Sequence, residues 1–231
     1  MISKKSLIEQ GSITKEKILS YLAEYKYSTP RTISNALNIK YPTVVAALNR
    51  YIKQELINEH KIPAPREKVV GISWLGLCEL GITERSKVFH PSRFNERTLF
   101  HWLQCQNYAT LKRNKGIECI PAPNDKIGVR GKGRVDLIET VKISDTQNVN
   151  IGIEVERTPK TPNRYMEIWG GHIEAIQKNQ LAGIKYILTS KQSEVVKKIF
   201  DKTHEFVTPD KRKLNFEPYK NRFKFIINHD L

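Results

Sequence analysis

Long apolar runs are missing from this sequence. None approaches the roughly 20 residues that a bilayer span requires, so no membrane-crossing helix is expected. The opening segment, MISKKSLIEQGS, has no apolar signal core, and the expected location is the cytoplasm. Cysteine is scarce: Cys78, Cys105 and Cys119 are the only three in 231 residues, with neither CxxC spacing nor an even count for bridges. They read as buried thiols, not as a disulfide framework. The six histidines form no short cluster, which argues against a histidine-based metal site. A phosphate-binding glycine loop, a GxSxG nucleophile turn and internal repeats are absent as well. Acidic residues are the minority charge, 24 against 39 Lys and Arg, which leaves a formal net charge of +15. A field of that sign attracts polyanions, nucleic acid above all, and its contribution weakens steeply with salt.

What is present suffices for a folded core: 39% of the residues are hydrophobic, and the length suits one large or two small domains. In the first 85 residues three helical patterns follow one another. Thr14 is placed to cap a helix with Ile18, Leu19 and Leu22 on one face, and Thr29-Pro30 to open a second with Ile33, Ala36 and Leu37 inward. The third begins near Tyr41-Pro42 with Val45, Leu48 and Ile52 on one stripe, and its opposite face is polar and basic. The run INEHKIPAPREKVVGISW then reads as strand, Pro-rich loop and strand. Three helices followed by a hairpin resemble a winged helix, a helix-turn-helix variant whose third helix enters the major groove. Residues 1–85 are therefore expected to form a winged-helix DNA-binding domain. Its candidate contacts are Lys40, Tyr41, Thr43, Asn49, Arg50 and Lys53 on the third helix, and Arg66 and Lys68 on the wing.

From His90 onward the pattern becomes mixed. HPSRFNERTLFHWLQCQNYATLKRN reads as a long helix; IECIP, RVDLIETV and NIGIEVERT as strands; NRYMEIWGGHIEAIQKN as a helix; IKYILTS and FKFIINHD as strands. Side chains alternate along a strand, so Glu154 and Glu156 share one face while Ile151, Ile153 and Val155 take the other. Asp136, near the start of the neighbouring strand, brings a third carboxylate to that face. Three acids in close contact repel one another, and either a proton or a divalent cation resolves the conflict. Mg²⁺ or Mn²⁺ prefers oxygen donors and suits phosphodiester chemistry. Glu96 lies near the stripe of Leu99 and Leu103, so it is expected to face the sheet as a further acid. His172 and Tyr165 fall on the apolar stripe of the second long helix and read as core residues. His90 and His101, flanking the first, are candidates to approach phosphate.

The order α, β, β, β, α, β, with an acid on the second strand and a further acid on the third, resembles the PD-(D/E)XK nuclease superfamily. Asp136 and Glu154 match its acids, and Glu156 stands where the superfamily usually has lysine; Lys160, in EVERTPK, is the residue that could reach back into that place. With the segment EVERTPKTPNRYMEIW, about residues 12–190 resemble the replication-relaxation family and MobC-type plasmid relaxases. The resemblance implies an α+β chain: a winged helix over 1–85, then a restriction-endonuclease-like α/β domain with a mixed central sheet over 86–231. It also implies a metal-dependent DNA-nicking enzyme acting at a plasmid origin of transfer during mobilisation. Asp136, Glu154 and Glu156 would hold Mg²⁺ or Mn²⁺, with Glu156, Lys160 and Glu96 as further catalytic candidates. The implied partners are double-stranded DNA and other mobilisation proteins or a coupling protein. A restriction-like double-strand nuclease and an inactive DNA-binding replication or transcription regulator remain as alternatives.

Overall fold

A computed structural model describes residues 4–62, 67–122 and 134–228, and the chain divides into two compact units, Met1–Thr110 and Leu111–Leu231. The first unit runs α1 (Lys4–Tyr25), β1 (Tyr27–Ser28), α2 (Pro30–Leu37), α3 (Tyr41–Lys53), β2 (Ile57–Ile62), β3 (Glu67–Ile72) and α4 (Trp74–Glu79). After short 3-10 turns comes α5 (Glu96–Arg113). Its three strands form an antiparallel sheet in the order β1-β3-β2. Thr29 caps α2 as expected, accepting from the Thr32 N–H with Pro30 at the first helical turn.

Thr14 caps nothing. It lies within α1, which continues through Gly11 from Lys4, and its hydroxyl donates to the Gln10 carbonyl. The buried stripe of α3 is also turned from the expected one: Val44, Ala47, Leu48 and Tyr51 face inward, while Val45 and Ile52 are half-buried. The first unit extends well past residue 85. Phe89 and Leu99 join Ile62 and Val69 in a core against which Tyr27, Phe94 and Leu103 pack. Gln106, fully buried, accepts from the Tyr21 and Ser28 hydroxyls and donates to the Tyr27 carbonyl.

In the second unit β4 (Glu118–Pro121), β5 (Leu137–Lys142), β6 (Asn148–Val155), β7 (Gly183–Leu188) and β10 (Phe223–Ile227) form a mixed sheet in the order β10-β7-β6-β5-β4. The β4–β5 and β5–β6 pairs are antiparallel; the β6–β7 and β7–β10 pairs are parallel. Parallel neighbours need crossovers, which α6 (Pro162–Gln177) and α7 (Ser190–Lys202) supply. Their apolar sides cover Ile138, Ile184, Tyr186 and Leu188 in one core. Within it Trp169 is stacked between Tyr165 and Phe216, at centroid distances of 5.1 and 5.2 Å. Gly170 lets α6 approach the short hairpin β8 (Glu205–Val207) and β9 (Lys213–Asn215), since a Cβ there would run into the Val207 carbonyl.

The architecture is thus α+β with a mixed five-stranded sheet. Among the described residues no helix is long and apolar enough to cross a membrane. Cys105 and Cys119 are buried as expected, but Cys78 is exposed, since it lies on the outer side of the short helix α4.

Candidate active site and nucleic-acid interface

Backbone pairing brings the acids together. Leu137 lies opposite Ile153, and the Asp136 N–H donates to the Ile153 carbonyl at 2.9 Å, so Asp136 falls just before β5 on the opposite face from Leu137. Its Oδ2 accepts from the Val155 N–H at 2.8 Å, which fixes the carboxylate against β6. Glu154 is on the same face and in register with Tyr186 of β7. Glu156 follows β6 directly, with its N–H on the Ile187 carbonyl at 3.1 Å. The alternation expected from the sequence therefore holds through the end of the strand.

Helix α6 closes over this face. Thr161 caps it, accepting from the Arg164 N–H, and the inner stripe that follows carries Tyr165 and His172. The Tyr165 hydroxyl donates to Glu156 Oε2 at 2.9 Å, and Lys160 Nζ donates to the same oxygen at 2.5 Å. His172 Nε2 lies 3.1 Å from Glu154 Oε1, and the Tyr186 hydroxyl lies 3.5 Å from His172 Nδ1. Glu156 is 4% exposed and Glu154 14%, while Lys160 retains 37% of its surface.

Such burial has electrostatic consequences. The Glu154 carboxyl is held well above the ordinary carboxylate range, first by desolvation and then by the charge of Asp136; Glu156 adds to the effect and Lys160 opposes it. A side-chain hydrogen bond between Glu154 and Asp136 further stabilises the protonated acid. His172 is pushed down to about 3, chiefly by burial and secondarily by Lys160, and is neutral at physiological pH. Tyr165 is raised by burial and by Glu156, so its phenol keeps its proton.

The donor set fits a hard divalent cation. Asp136 and Glu154 are two oxygen donors close enough to share a proton, and positive charge between them relieves the same repulsion. Glu156 is placed differently from a simple third ligand, because one of its oxygens is already occupied by Lys160 and Tyr165. The Lys160 ammonium, held on Glu156 Oε2, also stands 5.7 Å from the centre of the Tyr165 ring. Glu96 departs from expectation. It lies in the first unit, half exposed, and faces His60 Nε2 of β2 at 3.4 Å, because Phe94 before it packs on the His60 ring.

No protein-family model, curated protein or solved structure matches the chain.

Tyr165, His172 and Tyr186 were legible in the sequence only as core. Tyr165 and His172 are wholly buried and Tyr186 nearly so, yet each directs a polar atom at the acids or at a residue that holds them. The available signal was a polar tip at two positions of the inner stripe of the helix that follows an acidic strand. Glu139 escaped notice too. It is a buried acid on the other face of the sheet, paired with Lys185 at 2.6 Å and Lys112 at 3.3 Å, an arrangement that neutralises its charge.

In the first unit α3 presents Tyr41, Thr43, Asn49, Arg50 and Lys53 to solvent, with Lys40 exposed just before it. Arg50 lies against Tyr51, its guanidinium 5.1 Å from the ring centre and donating to the hydroxyl at 3.2 Å. Lys68 is committed within the unit, paired with Glu59 at 2.8 Å and donating to Asn49 Oδ1 at 3.0 Å, so much of its charge is spent holding β3 to α3. Arg66 lies outside the described residues. Arg31, which the sequence reading passed over, lies 5.8 Å from the Tyr41 ring centre and extends the basic surface toward α2. His101, half-buried, has its Nε2 3.8 Å from Cys105 Sγ, and His90 is exposed.

Proposed function

We propose that this protein is a metal-dependent DNA endonuclease of the nicking kind, in which the first unit is a winged helix and the second a PD-(D/E)XK-like catalytic domain. The substrate implied by the family resemblance is a plasmid origin of transfer. The observation that carries the reading is the pairing of Asp136 and Glu154 on one sheet face, with Glu156 and Lys160 beside them.

Each residue then has a defined task. Asp136, fixed by the Val155 N–H, and Glu154 hold Mg²⁺ or Mn²⁺, which supplies Lewis-acid activation of a scissile phosphate and its attacking water when bound. Glu156 anchors Lys160, whose ammonium stabilises negative charge on phosphate oxygens, the part the superfamily's strand lysine plays. Tyr165, wholly buried, holds Glu156 through its hydroxyl. The basic face of α3 supplies phosphate and base contacts.

One observation favours a second reading. Lys160 is drawn onto a buried carboxylate at 2.5 Å, and an ammonium held this way is weakened as a phosphate ligand. That arrangement suits an inactive nuclease fold serving as a DNA-binding regulator. Supercoiled plasmid carrying a transfer origin, incubated with the protein and Mn²⁺, separates the readings. Open circles that disappear with Asp136→Ala and Glu154→Ala support the nicking enzyme. Linear product indicates double-strand cleavage, and unchanged plasmid alongside retained DNA binding supports the regulator.

A further inference from the structure

We propose that His172 and Tyr186 are positioning residues that fix the Glu154 carboxylate for a bound divalent cation; the inference rests on the nuclease reading of the carboxylate site. The side chains form a chain running inward from the acid: Glu154 Oε1, then His172 Nε2 at 3.1 Å, then His172 Nδ1 to the Tyr186 hydroxyl at 3.5 Å. His172 is fully buried and Tyr186 is 1% exposed, so neither has water to satisfy it. Tyr186 is also the register partner of Glu154 on the adjacent parallel strand, which ties both ends of the chain to the same place in the sheet.

Proton count determines the polarity of the chain. A neutral imidazole carries one N–H and one bare nitrogen. The Tyr186 hydroxyl is an O–H donor, and His172 Nδ1 is its acceptor at 3.5 Å. The imidazole proton is then on Nε2, aimed at Glu154 Oε1. One carboxylate oxygen is engaged from behind, its rotation is restricted, and the other is left for the side on which Asp136 lies. Groups that orient ligands in this way commonly govern metal affinity by 10- to 100-fold.

The test is Mn²⁺ affinity of the full chain, measured as free Mn²⁺ by electron paramagnetic resonance, with folding checked by far-ultraviolet circular dichroism. The wild type should bind, and Asp136→Ala should abolish binding. His172→Phe, which cannot donate, should weaken binding about tenfold or more, whereas His172→Gln, which can, should stay within about threefold. Tyr186→Phe should weaken it by a smaller factor. If His172→Phe and Tyr186→Phe bind Mn²⁺ as the wild type does, the positioning role is overturned. If His172→Phe does not fold, unchanged affinity in Tyr186→Phe overturns it alone. A wild type without Mn²⁺ affinity refutes the metal site itself, a distinct failure.

Discussion

Replacing Lys160 by Met should cost more stability than replacing its partner Glu156 by Gln, although both remove the same ion pair. The reason is the unequal burial of the two ends. At 2.5 Å and an effective dielectric near 20, the gross attraction is about 7 kcal/mol, most of it offset by desolvation. Taking away the cation leaves a carboxylate that is 4% exposed with the Tyr165 hydroxyl as its remaining described side-chain partner. Breaking a fully buried pair costs roughly 3–5 kcal/mol; since Lys160 is 37% exposed, about 1–3 kcal/mol is expected here. Taking away the anion leaves a lysine free to turn into solvent, and the Gln carbonyl still accepts from Tyr165, so about 1 kcal/mol is expected. The double variant should resemble Glu156→Gln alone, giving a coupling energy of about 1–3 kcal/mol in a double-mutant cycle. Urea denaturation at pH 7 and low salt, with the slope constant across the four proteins, measures it. Equal costs for the two single variants, or additivity within about 0.3 kcal/mol, would show that this ion pair does not hold Glu156 in place.

Three other outcomes are expected. His172 titrates near 3 in the folded chain and near 6.5 when unfolded, so the native state binds fewer protons between those values and stability falls as pH drops below 6.5. At pH 5 the loss is about 2 kcal/mol. His172→Gln should lose that much less between pH 7.5 and 5 in metal-free denaturation curves, and parallel curves for the two proteins would contradict the assignment. Arg50→Ala and Lys53→Ala should each weaken DNA binding and flatten its salt dependence by about one unit of slope in anisotropy titrations; an unchanged slope means that face meets no phosphate. Gly170→Ala should cost about 2–3 kcal/mol in chemical denaturation, because its methyl group meets the Val207 carbonyl, and a loss under 0.5 kcal/mol would show that α6 and β8 separate freely.

Much of the second unit was legible because strand alternation is local. Glu154 and Glu156 could be assigned to one face from parity alone, and the pairing of β5 with β6 brings Asp136 to that face. The opposite holds for Glu96, whose partner was settled by packing of Phe94 on His60, a contact between segments far apart in sequence. Lys160 was ambiguous for a similar reason: whether a loop lysine is solvated depends on the depth of the acid it can reach. Helix α7 was readable but overlooked, since Thr189 and Gln192 form a capping box and Val196 and Phe200 repeat at helical spacing. The β8–β9 hairpin has strands of three residues, too short for a periodic signal. The stripe of α3 was displaced because Tyr51, polar at its tip, is buried where an aliphatic residue was expected to be.

The extent of the first unit determines how the protein can be dissected. A fragment stopped at residue 85, where composition changes, would lose Phe89, Phe94 and Leu99 from the core around Ile62 and Val69. It would also lose Gln106, leaving the Tyr21 and Ser28 hydroxyls without that acceptor in an apolar interior. Such a fragment is expected to precipitate or bind weakly for reasons unrelated to nucleic acid, and its failure in a gel shift would say nothing about α3. Since the boundary falls inside the continuous helix α5, limited proteolysis should find no cut between Glu96 and Arg113 in the native protein, and any fragment used to assay DNA affinity should carry that helix to its end.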